Sequence, residues 1–388
     1  MISIQKKTDS IHCDDCVTGK NFPLILNITW FRLSLVKEIM NMKKLNVTLA
    51  ILVAAVMAGN AQTPDPIEVK SQIVGYNTIT AAGNGGSGIK YSFLAVNLLN
   101  SPEFAGPMDG SLVCPPDSFT PGQFNQGTTY AKYYVELTNG TNAGSQADIV
   151  SNTSDTLTVV ANSEFQAAVE SDATIEIRKH RTLSDVFGGA SGTTSATDVL
   201  LAKGSTLGAA DNVMIYEGGS YKNFFYSSNA LRPGWRDAAG AVATDRPIYP
   251  SQGIIVARKS NTEINAVVVG TVKTGVALID LDAGYTLCNL PAPADATLPS
   301  IFGGASGAAN ATDVKIAKGA TLGAADNILI AGPTGAYDTY FYSSNALRPG
   351  WRNSAGVASS AVNISGGIAM FIKKVTPATL AVTQVTND

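Results

Sequence analysis

The stretch Val213-Met-Ile-Tyr-Glu-Gly-Gly-Ser-Tyr-Lys-Asn-Phe-Phe-Tyr-Ser-Ser-Asn-Ala-Leu-Arg-Pro-Gly-Trp-Arg236 decides the fold. Two apolar runs, Val213 to Tyr216 and Tyr221 to Tyr226, flank Glu217-Gly-Gly-Ser220, the pattern of a β-hairpin around a Gly-containing turn. The second half, Phe225 to Arg236, recurs unchanged at Phe341 to Arg352. Val186-Phe-Gly-Gly-Ala-Ser-Gly192 recurs as Ile301 to Gly307, and Thr206-Leu-Gly-Ala-Ala-Asp-Asn212 as Thr321 to Asn327. The spacing is 115 residues at 186/301 and 206/321 but 116 at 225/341, so the second copy carries one extra residue in the intervening turn. Further on, Gln252-Gly253 aligns with Gly366-Gly367 and Arg258-Lys259 with Lys373-Lys374. This period is far longer than a solenoid unit, and each copy is expected to be a small domain.

Outward from the repeat, the local signals are again those of strands. The second hairpin runs through Ile328 to Ala331, a Gly332-Pro-Thr-Gly335 turn, and Tyr337 to Tyr342. Gly253 to Arg258 and Gly367 to Lys373 have the character of buried strands, and Ile264 to Val272 and Val276 to Leu281 are β-branched runs. Val74 to Thr80, Tyr91 to Val96, Tyr133 to Thr138, Ala147 to Val150 and Thr156 to Val160 add strands, while Glu164 to Ser171 offers a helical turn or two. Val269-Gly270 through Cys288 loosely echoes the strand pair near Val74. The expected fold is all-β, in tandem small sandwich or barrel-like units of which two are homologous repeats. The expected division is an N-terminal β domain over 62–181, a first repeat over 182–296 and a second over 297–388.

Met42 to Ala61 reads as a secretory signal peptide. Lys43-Lys44 is the charged region, Val47 to Met57 the apolar one, and Gly59-Asn-Ala61 the cleavage site. Residues 1–41 are then expected to be an untranslated extension: the codons of Lys37-Glu38-Ile39 can spell a ribosome-binding sequence just upstream of Met42. Past Ala61 no apolar run reaches the roughly 20 residues of a membrane span. The product is expected at the cell surface, outside the cell or in the periplasm, with no transmembrane anchor in the mature chain.

Of 388 residues, 45% are hydrophobic and 15% charged, against roughly 25% charged in an average soluble domain. A net charge of −3 without a dense basic patch speaks against nucleic acid. His12 and His180 are the two histidines, and only His180 follows the signal peptide, so a multi-imidazole metal site is excluded. Cys114 and Cys288 are the cysteines of the mature chain, expected to be either disulfide-bonded or separately buried.

Lys132-Tyr-Tyr-Val-Glu-Leu-Thr-Asn-Gly-Thr-Asn-Ala-Gly144, Asp148-Ile-Val-Ser-Asn-Thr-Ser-Asp-Thr-Leu-Thr-Val159 and Glu176-Ile-Arg-Lys-His-Arg-Thr-Leu-Ser-Asp-Val-Phe-Gly188 form one set of motifs. Together with Gly234-Trp-Arg236 and Ile248-Tyr-Pro-Ser-Gln-Gly-Ile-Ile-Val-Ala-Arg-Lys259, they resemble a group of uncharacterised exported proteins found mainly in Verrucomicrobia and their relatives. The resemblance implies an exported product and brings no activity or site residues with it.

Gly83-Asn-Gly-Gly-Ser-Gly88 matches a dinucleotide fingerprint, but a strand rather than a helix follows it, so the glycines are expected in a hairpin loop. A Ser-His-Asp triad would have to use His180, whose neighbours Arg178, Lys179 and Arg181 disfavour an imidazolium; a surface basic cluster is the competing reading. Asp198, Asp211, Asp313 and Asp326 lack the dense carboxylates of a calcium loop and fit turns or caps better. No cofactor or metal is expected.

The candidate ligand residues are Tyr226, Trp235, Arg236 and their counterparts Tyr342, Trp351, Arg352. An exposed aromatic beside Arg could stack on a sugar; alternatively each Trp pins a long loop onto its own β core. Three classes follow: a non-catalytic surface or matrix structural protein that self-assembles, an array of modules binding cell-surface polysaccharide, and a secreted hydrolase with a carboxylate pair. The first is the expectation.

Overall fold

The computed structural model describes residues 73–383 apart from 87, 162, 291–294 and 333–335. The upstream extension, the signal peptide and the centre of the Gly332–Gly335 turn lie outside the described residues. Regular structure is almost wholly β, with only short helices at Ser163–Ala168, Leu183–Phe187 and Leu298–Phe302 and a 3-10 turn at Leu322–Ala324 among the described residues.

The hairpin forms as expected, Asn212–Glu217 pairing with Ser220–Ser227 across Gly218 and Gly219, both at positive φ. It lies in a five-stranded antiparallel sheet ordered Gly234–Asp237, Ser220–Ser227, Asn212–Glu217, Gly253–Arg258, Lys90–Ala95. A three-stranded sheet of Val74–Ala81, Ile264–Val272 and Leu98–Leu99 covers one face. Ile79 and Val268 from this cover meet Val213, Ile254 and Trp235 in a single core, which makes the unit a sandwich. The second copy repeats the plan: Gly284–Cys288, Met370–Lys374, Asn327–Ala331, Tyr337–Ser343 and Gly350–Asn353 form one sheet, and Val276–Leu281 with Ala378–Thr383 form its cover. Their shared core holds Ile279, Leu380, Ile328 and Trp351. A third sheet is ordered Pro102–Met108, Ala173–Lys179, Tyr133–Leu137, Gln146–Asn152, Leu157–Val159 around its own core of Phe124, Val135, Ile149 and Ile177.

Strand pairing crosses the boundaries expected at 181/182 and 296/297. Val74–Ala81 pairs along its whole length with Ile264–Val272, and Lys90–Ala95 pairs with Gly253–Arg258. Without these segments the first sandwich would lose its edge strand and half its cover. The third sheet is therefore an insertion between Leu99 and Arg181 of that sandwich. Likewise Val276–Leu281 and Gly284–Cys288 belong to the second sandwich, as the counterparts of Val74–Ala81 and Lys90–Ala95. The glycine-rich loop at 83–88 is correspondingly not a hairpin turn: its flanking strands lie in different sheets and it carries the chain across the sandwich edge.

All six residues of Gly253–Arg258 are buried. Alternation sends Ile254 and Val256 into the first core, while Ile255 joins Ala95, Leu287 and Ala369 in an apolar seam between the sandwiches. Backbone bonds close that seam, Ala95 N donating to Gly367 O at 2.8 Å and Asn289 N to Ser251 O at 2.8 Å. The pairing also corrects the downstream alignment. Asn212 faces Ala257 and Asn327 faces Lys373, so Arg258 corresponds to Lys374, and the 116-residue spacing persists to the end of the repeat.

Candidate functional site

The repeated aromatics are interior. Tyr226 and Trp235 are 0% exposed, Tyr342 0% and Trp351 2%. Each indole N–H donates to a glycine carbonyl, Trp235 to Gly188 at 2.8 Å and Trp351 to Gly303 at 2.9 Å. Each phenol donates to a loop carbonyl, Tyr226 to Thr193 and Tyr342 to Ala308, both at 2.8 Å. The Phe-Gly-Gly motif exists for this packing: a Cβ on Gly189 or on Gly304 would sit 2.2 Å from the Tyr226 or Tyr342 ring. Gly234 and Gly350, directly before each Trp, take φ of 89° and 87°, the left-handed region that glycine adopts without a side-chain clash. The four rings thus offer no stacking face to a ligand, and the sugar-platform reading fails for them because the small cores need their area.

Arg236 and Arg352 turn back on their own loops. Arg236 donates to Pro233 O at 2.8 Å through Nη2 and to Gly240 O at 3.4 Å; Arg352 donates to Pro349 O at 2.9 Å and to Gly356 O at 3.3 Å. Both nevertheless remain partly exposed. Arg236 lines a surface depression of about 260 Å³ with Leu207, Phe225, Asn229, Arg232 and Gly240. The second copy has Leu322, Phe341, Asn345, Arg348, Arg352 and Gly356 at those positions.

The repeated aspartates are internal acceptors. Asp198 Oδ2 accepts from Gly189 N and Asp313 Oδ2 from Gly304 N, at 2.9 and 2.8 Å. Asp211, 0% exposed, takes the Arg258 guanidinium, Ala202 N and Lys259 N; Asp326, also 0% exposed, takes the Lys374 ammonium, Ala317 N and Val375 N. No group of metal-ligating side chains occurs among the described residues.

Cys114 and Cys288 are free and buried, one in the inserted sheet's core and the other in the second sandwich. The disulfide option is thereby removed: each sulfur is enclosed by its own core. Burial pushes the Cys114 thiol up to about 11 and Cys288 to about 12.

His180 is not on the surface. It is 2% exposed, with Nε2 at 2.8 Å from Asp148 Oδ1, while Tyr249 donates its hydroxyl to Asp148 Oδ2 at 2.8 Å. The Tyr134 ring lies against the imidazole with centroids 4.8 Å apart. A cavity of about 240 Å³ is bounded by Tyr134, Gln146, Asp148, Val160, His180 and Tyr249. Burial raises both tyrosine hydroxyls well above their usual range, and the Asp148 carboxylate adds to this at Tyr249. None of the lining residues is Ser, Thr or Cys, so the cavity does not complete the Ser-His-Asp arrangement that His180 would have to serve. The flanking basic residues stitch the insertion to the first sandwich: Arg178 Nη1 donates to Asn100 O at 2.6 Å and Thr271 Oγ1 at 3.0 Å, and Arg181 Nε to Leu98 O at 2.7 Å. Buried Lys273 pairs with buried Glu136 across the same junction.

No family model, curated protein or solved structure matches the chain. Among the described residues no helix is long and apolar enough to cross a membrane.

Proposed function

We propose that the chain is an exported, non-catalytic structural protein of the bacterial cell surface or extracellular matrix. The observation that carries this is how the charged and aromatic residues are used. Trp235, Trp351, Asp211, Asp326, Glu136 and Lys273 all hold sheets and loops to one another. Two sandwiches of one plan share an apolar seam, and an inserted sheet is tied to the first by a buried ion pair and hydrogen bonds. Such a body suits load-bearing or lattice formation. The signal-peptide pattern and the resemblance to exported proteins of Verrucomicrobia support export. Electron microscopy of the purified mature chain tests the reading, with ordered fibres or sheets expected.

A second reading, a polymer-binding array, is favoured by one feature. The depression around Arg232 and Arg236 has the same residues around it in both copies at nearly every position.

A further inference from the structure

The two longest identical segments of the repeat, Thr206–Asn212 and Phe225–Arg236, supply most of the wall of one depression. Its lining changes between copies only where Ser205 becomes Ala320 and Ala238 becomes Ser354. The neighbouring hairpin surface has diverged: Lys222-Asn223 becomes Asp338-Thr339. Packing explains the identity of Tyr226 and Trp235, but not that of the loop tip. Leu231 and Leu347 are each 91% exposed, and Arg232 and Arg348 are exposed beside them.

The tip is held in one shape in both copies. Leu231 N donates to Asn229 Oδ1 at 2.9 Å and Arg232 N to Asn229 O at 3.1 Å; Leu347 N and Arg348 N make the same bonds to Asn345, at 2.9 and 3.0 Å. Among the described residues no acceptor engages either the Arg232 or the Arg348 guanidinium. A rigid loop presenting an open guanidinium fork and an apolar side chain spends little ordering entropy on binding. The fork fits a carboxylate in bidentate fashion, and Leu offers an apolar surface to the C–H face of a sugar ring.

We propose that the Arg232/Arg236 depression and its Arg348/Arg352 counterpart are twin sites for a carboxylate-bearing polysaccharide, bound by one chain at two points. This rests on the second reading above and is separable from assembly. A repeating polymer long enough to engage both sites at once would gain avidity over either site alone.

The test is retention of the mature chain on immobilised polygalacturonate, with neutral dextran as the comparison. Wild type is expected to be retained on polygalacturonate, released by salt, and to pass through dextran. Arg232→Ala or Arg348→Ala is expected to weaken retention at least tenfold, and the double variant to abolish it. All three should melt with wild type, since both side chains are exposed, and should form the same assemblies on micrographs. Loss of retention with melting and assembly unchanged supports the sites. Failure of wild type to be retained, equal retention on dextran, or full retention of the double variant would overturn them, whatever the micrographs show.

Discussion

Trp235 donates its indole N–H to the carbonyl of Gly188, 47 residues earlier, and Trp351 does the same to Gly303, 48 residues earlier. Each bond fastens the end of the loop at 228–234 or 344–350 to the helix-ending glycine, with the ring filling the sandwich core beside Phe187 or Phe302. Trp235→Ala and Trp351→Ala should therefore each cost about 3–5 kcal/mol, the range for truncating a buried aromatic. Trp→Phe should cost less, because it keeps most of the area and loses only the N–H donor. Denaturant unfolding of the four variants measures this; an unchanged midpoint for both Ala variants would show the rings to be dispensable.

The strands of the hairpin and of Gly253–Arg258 were legible because β-branched and aromatic runs between glycines are a local pattern. Their pairing was not. Val74 faces Thr271 and Ala81 faces Ile264, contacts that leave no trace in adjacent residues, so the insertion looked like a leading domain. The surroundings of His180 are hidden for the same reason: its partners Asp148 and Tyr249 come from distant segments, and only its basic neighbours are adjacent in sequence. The short helix Leu183–Phe187 spans too few residues to display a 3.6 period, although its capping box, Thr182 with Asp185, is present in the sequence.

Glu136 and Lys273 are both buried, at 3% and 3% exposure, and join the inserted sheet to the chain leaving the first sandwich. Lys273→Met strands a carboxylate in the interior and should destabilise by about 3–5 kcal/mol. The Lys273→Met/Glu136→Leu double variant should recover most of that loss, since no charge is then left unpaired. Chemical denaturation of both variants checks the order; a double variant no more stable than the single would show that the pair itself holds the junction.

The two thiols make stability fall in alkali. Folding raises Cys114 and Cys288 from 9.0 to about 11 and about 12, so above pH 9 the unfolded chain releases protons that the folded chain keeps. Stability from this source is complete below pH 9 and declines as pH rises toward 11 to 12, by about 1.4 kcal/mol per pH unit for each thiol. Lys273, lowered from 10.5 to about 8 by burial, acts in the opposite sense between those values. Comparison of wild type with Cys114→Ala/Cys288→Ala isolates the thiols: the wild-type melting temperature should fall more steeply from pH 9 to 10.5. Parallel curves would mean that the sulfurs are open to water.

Burial also makes both thiols slow to react. A thiol-specific reagent at pH 8 should label neither cysteine in the folded chain and both after denaturation, without prior reduction. Labelling that requires a reductant would reveal a disulfide and contradict the separate burial of the two sulfurs.

The structural role is tested most directly by negative-stain electron microscopy of the purified mature chain over a range of concentration and divalent-cation content. Fibres or sheets with a regular repeat are the expected result. Monodisperse single particles under every condition would contradict a structural role.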